Sequence, residues 1–86
     1  MKVNFRKIPF QDIEGNEQMF DCQKALGNAI YMQGQNIEER DLGRIIYYAE
    51  GEVELTDQQV EVVKRFAGIF SYVLSEAILE AITPKP

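Results

Sequence analysis

The chain opens with apolar residues at alternate positions, Val3 and Phe5, and then changes parity to Ile8 and Phe10. Side chains of a strand alternate between faces, so the second pair lands on the opposite face unless a bulge near Arg6 or Lys7 absorbs one residue. Pro9 has no backbone donor, which assigns this strand to a sheet edge. Gly15-Asn16 then lies between runs holding Ile13 and Met19-Phe20, a pattern that predicts a β-hairpin.

From Asp21 the period changes from two to that of a helix. Cys22, Leu26, Ala29 and Ile30 recur at the spacing of one helical face, with Asp21 as the N-cap and Gly34 as the stop. After the polar QGQN, Asn36 and Glu39 stand at the spacing of a capping pair. The helix they open has Leu42, Ile45, Ile46 and Ala49 on its apolar side and Gly51 as its stop. Residues 52–55, EVEL, alternate acid and aliphatic, predicting a short strand or extended connector with Val53 and Leu55 inward and Glu52 and Glu54 in water. Whether that strand joins the hairpin edge is left open by the pattern. Thr56 and Gln59 form a capping box, and Asp57 sits where the helix dipole favours a negative charge. Val60, Val63, Phe66-Ala67 and Phe70 supply the apolar face of this third helix, with Lys64 and Arg65 outside.

The last third carries an excess of hydrocarbon. Gly68 costs about 1 kcal/mol relative to Ala inside a helix, and Ser71 can cap a new one, so a bend near 68–71 is one reading of the C-terminal arm over 57–82. A continuous helix is the other. Phe70, Val73, Leu74, Ala77, Ile78 and Ala81 form one arc at the helical period, and Ile69, Tyr72 and Leu79 fall outside it. Leaving such a side chain in water forgoes roughly 1.5–3 kcal/mol, so a covering surface is expected, from a second copy or another protein. Tyr47 and Tyr48 flank the second helix's core stripe, Tyr47 nearly opposite to it, and are further interface candidates because a tyrosine brings a large ring and a hydroxyl. The alternative for Tyr47 is a neighbouring element packed over it.

The overall expectation is an α+β fold in a single domain over 1–86: N-terminal β-hairpin, two short helices, short third strand, C-terminal helical arm. Composition narrows the chemistry. The chain has no histidine and one cysteine, so the commonest general base is missing and a zinc site cannot be assembled. Cys22 falls on an apolar stripe and reads as a small core residue. No glycine-rich phosphate loop or EF-hand spacing occurs, and no cofactor is expected. No apolar run approaches the roughly 20 residues that span a bilayer, and MKVNFRK lacks a signal-peptide core, which points to the cytoplasm and away from membranes.

The net charge of −5 is concentrated: residues 38–61 hold eight acids and two bases, whereas residues 1–37 hold four of each. Excess carboxylates repel phosphate backbones, so direct nucleic-acid binding is not expected. Two further readings use those acids. They could imitate nucleic acid and occupy a basic host protein, or Glu52 and Glu54 could serve a small carboxylate-dependent hydrolase.

The D-x-x-G hairpin at Asp12–Gly15, L-G-x-A-I at Leu26–Ile30, I-Y-x-A-x-G at Ile46–Gly51 and the run Gly51–Thr56 together resemble small accessory proteins encoded by bacteriophages and prophages. The likeness spans about Asp12 to Ile82. Such proteins often carry a proline where this chain has Phe70-Ser71-Tyr72, so the bend does not follow from the likeness. The resemblance implies a non-catalytic accessory or assembly protein, in the host cytoplasm or the phage particle, acting on itself or on a protein partner.

Overall fold

The computed structural model describes residues 1–83. The architecture is α+β, with four helices and two separate two-stranded antiparallel sheets. No helix among the described residues is long and apolar enough to cross a membrane.

The parity change at the N-terminus is resolved by a turn rather than a bulge. Strand β1 (Lys2–Val3) ends at Asn4, whose carbonyl accepts from the Lys7 N–H at 3.1 Å and whose side chain accepts from the Arg6 N–H at 3.0 Å. The chain leaves this turn as β2 (Ile8–Gln11), so Val3, Phe5 and Ile8 all reach the core despite their spacing. β2 pairs with β3 (Glu17–Phe20) in the predicted hairpin, Ile8 opposite Phe20 and Gln11 opposite Glu17. Ile13 lies in the connecting turn, fully exposed, and not in a strand as its apolar character suggests. Asp12 organises that turn: its carboxylate accepts from the backbone N–H groups of Glu14 and Asn16, and Gly15 takes the positive φ of 83° that a side chain would resist.

Helix α1 (Gln23–Gln33) starts one residue later than an Asp21 cap implies. Cys22 holds the N-cap position, and the Asp21 carboxylate accepts from the Gln23 N–H at 3.1 Å. Helix α2 (Ile37–Tyr48) begins at Asn36, whose side chain accepts from the Glu39 N–H at 2.9 Å as the capping spacing predicts. It stops at Ala49, two residues before the expected Gly51, because Ala49 adopts an extended conformation. Its buried side is Glu39, Leu42, Gly43 and Ile46; Ile45, expected inside, is exposed.

Strand β4 (Val53–Glu54) does not join the hairpin. It pairs with β1, Val53 opposite Val3, and buries Val53 and Leu55 as the alternation predicts. Helix α3 (Asp57–Ala67) has the full Thr56/Gln59 capping box, and the predicted face Val60, Val63, Phe66 and Ala67 is buried. The arm then breaks. Gly68, Ile69 and Phe70 form a turn closed by Ile69 N–H to Phe66 O and Phe70 N–H to Ala67 O, and α4 (Tyr72–Ala81) begins after Ser71. Ala77, Ile78 and Ile82 are buried, and Val73, assigned to the core arc, is exposed in the first turn of α4 beside the corner. α4 packs chiefly on β2, and Phe70 meets Phe20 of the hairpin edge to face at 5.4 Å.

The tightest packing joins α1 to α2. A Cβ on Gly27 would lie 2.7 Å from the Tyr47 backbone nitrogen and 2.8 Å from the Gly43 carbonyl oxygen. One on Gly43 would lie 2.5 Å from the Tyr31 nitrogen and 2.7 Å from the Gly27 oxygen. All four distances are inside the contact limit and fall on backbone, which cannot swing aside, so these glycines let the helices touch main chain to main chain.

Gly27→Ala and Gly43→Ala are therefore expected to destabilise the fold by roughly 1–3 kcal/mol, the overpacking cost exceeding the gain in helix propensity. Gly68, with open space around it and a φ of −68°, is expected to respond oppositely, Gly68→Ala stabilising by about 0.4–1 kcal/mol. Urea denaturation of the three variants compares the signs. Cys22 is fully buried and burial pushes its thiol up to about 12, so native protein at mildly alkaline pH should resist iodoacetamide and label promptly in denaturant.

Candidate interaction surface

Two surface features gather the residues that sequence patterning nominates. The first lies on the outer side of the α1/α2 pair, a groove of about 390 Å³ lined by Gly27, Gly43, Tyr31, Tyr47, Tyr48 and Arg44, with Asn28. Tyr47 stands on a wall of this groove. Its backbone rests on Gly27 and its ring is half-buried, edge to face with the Tyr48 ring at 4.9 Å. Tyr48 is 73% exposed. The Lys24 ammonium of α1 sits 5.1 Å from the Tyr47 ring of α2, and the Arg44 guanidinium of α2 sits 5.6 Å from the Tyr31 ring of α1. Each helix thus lays a cation on the other's tyrosine, an attraction to the ring's electron-rich face.

Tyr31, Lys24 and Arg44 were not nominated by the apolar pattern. Tyr31 shows through a repeat, Leu26-Gly-x-x-Ile-Tyr31 in α1 and Leu42-Gly-x-x-Ile-Tyr47 in α2, whereas Lys24 lies outside it and Arg44 at one of its variable positions. Its leucines and isoleucines are buried, its glycines make the reciprocal contact, and its tyrosines wall the groove.

The second feature is the α3–α4 elbow. Within five consecutive residues, Ile69 is 49%, Tyr72 77% and Val73 51% exposed. Leu79, grouped with Ile69 and Tyr72 by the helical wheel, lies about two turns beyond Tyr72 along α4 and is half-buried against the core. Among the interface candidates the structure therefore brings Tyr47 together with Tyr48, and Ile69 with Tyr72.

The acids do not converge on a site. Glu52 and Glu54 are exposed beside β4, and among the described residues no group of three His, Cys, Asp or Glu side chains is placed to hold a metal ion. A strongly engaged carboxylate that bridges two helices is Glu39, whose side chain is only 10% exposed. It accepts a charge-assisted pair of hydrogen bonds from the Arg65 guanidinium of α3, one at 3.3 Å, and a further bond from the Gln35 N–H at 3.1 Å. These partners, Arg65 foremost, hold the Glu39 carboxyl below its ordinary value of 4.5. Glu39 thus ties α2 to α3 while capping its own helix entrance.

No protein-family model, curated protein or solved structure matches this chain.

Because the folded Glu39 carboxyl is depressed, its stabilising share is complete above pH 4.5 and is lost as the pH falls further. Asp12, held low first by the Asn16 backbone N–H, acts in the same direction. Chemical denaturation between neutral pH and pH 3 should show stability falling in that acid range, with a shallower fall in Glu39→Gln. An unchanged slope in that variant would place the acid sensitivity elsewhere.

Proposed function

We propose that this chain is a non-catalytic accessory or assembly protein of the phage or prophage type, acting through protein contacts and with a second copy of itself among its partners. The observation that carries the proposal is the elbow, where Ile69, Tyr72 and Val73 stay exposed although the fold has a core formed from all four helices. A bulky apolar side chain left in water forgoes stabilisation that association supplies. The break in the helix supports the same reading. It turns these side chains outward at a corner held by Phe70 on Phe20, a fixed and convex presentation suited to docking.

Three side chains cover less than the roughly 800 Å² per partner of a standard interface, so association through the elbow alone is weak and concentration-dependent. Light scattering on purified protein from micromolar to millimolar concentration is expected to show growth of a dimer. The double variant Ile69→Asp, Tyr72→Lys, altering only exposed positions, should remain folded by circular dichroism and lose the dimer. A wild-type chain that stays monomeric throughout that range removes self-association from the proposal.

A further inference from the structure

The tyrosine groove is separate from the elbow and has a different chemistry. We propose that it is a docking site for an amphipathic helix of a partner protein whose apolar stripe is flanked by carboxylates. Four observations converge on that occupant.

The walls are two helices whose backbones are already hydrogen-bonded internally, so the groove offers no ladder to an extended peptide. A helix satisfies its own backbone and needs only a surface to lie on, as in ridge-into-groove packing. The lining is aromatic, with Tyr31, Tyr47 and Tyr48 beside the two glycines at which the helices touch.

Charge chooses the partner's sign. In a chain of net charge −5, Arg44 lines the groove and Lys24 lies over the ring of Tyr47, one of its walls. Among the described residues neither forms an ion pair, whereas Arg40, Lys64 and Arg65 each do. Both are exposed and lie over the Tyr47 and Tyr31 rings, so a carboxylate arriving from above pairs with each of them.

The same geometry argues against the other occupants. A nucleic acid would bring its phosphate backbone to a chain of net charge −5, and Tyr31 and Tyr47 each already carry a cation on one face. A second copy docked groove to groove would set Lys24 and Arg44 against their own kind.

The test uses the full chain, isotope-labelled, in the monomeric Ile69→Asp, Tyr72→Lys background, so that its outcome is independent of the elbow. The probe is a synthetic helical peptide with a leucine stripe flanked by glutamates, compared with its Glu→Gln and Glu→Lys counterparts and with a mixed-sequence single-stranded oligonucleotide. The acidic peptide is expected to shift the Gly27 and Gly43 amide resonances saturably, and Lys24→Glu with Arg44→Glu should weaken it roughly tenfold, the effect of losing two exposed ion pairs. The Glu→Lys peptide should not bind. Tyr48→Ala, at an exposed position, should weaken binding without altering the fold. The proposal is overturned by absence of saturable binding of the acidic peptide, by equal binding of the Glu→Gln peptide, by shifts that avoid α1 and α2, or by an oligonucleotide that binds the groove more tightly.

Discussion

Backbone contact between α1 and α2 at Gly27 and Gly43 is the constraint on which the rest of the structure depends. Two helices that touch main chain to main chain have one register, because a slip by a residue brings the side chain of Asn28 or Arg44 into a space that does not admit even a methyl group. Fixing that register places Leu26, Ile30, Leu42 and Ile46 side by side on the inner face, where α3 packs on α1. It also places Tyr31 and Tyr47 on the outer face, so core and groove are two sides of one contact.

The remaining elements are tied to this pair by a few polar links. The buried Gln23 side chain accepts from Arg6 Nε at 2.6 Å and donates to the Ala49 carbonyl, joining the N-terminal turn to the end of α2. The Cys22 N–H donates to the Phe5 carbonyl at 2.9 Å, and Arg65 reaches Glu39 from α3. Buried donors and acceptors cost energy when unpaired, and among the described residues no buried side-chain polar atom lacks a partner. These links fix orientation where a core of this size has little apolar surface to spare.

Much of the fold was legible because periodicity and capping are local. The hairpin, the helices, the Thr56/Gln59 box and the inward Val53 and Leu55 follow from spacing alone. What was not legible is tertiary. The β4 partner could not be read, since two-residue strands carry no register signal, and pairing with β1 depends on the Asn4 turn. Ile45 and Val73 were assigned inward by the wheel, but α2 turns Gly43 toward α1 and Val73 falls in the first turn of α4, at the exposed corner. Of the candidate surface, Tyr47, Tyr48, Ile69 and Tyr72 were readable as apolar excess. Tyr31, Lys24 and Arg44 were not, because a cation–ring contact joins residues of different helices, and the repeated L-G-x-x-I-Y marks Tyr31 alone.

The break after α3 separates the chain into parts with different tolerance for change in length. In α1 or α2 one added residue would turn a glycine away from its mate by about 100° and undo the pairing. At the corner preceding Ser71 no helical phase is carried through, so α4 keeps its seat on β2 by its own Ile78 and Ile82. Related chains could therefore vary there in number of residues, altering the outward corner while the two-helix frame stays as it is.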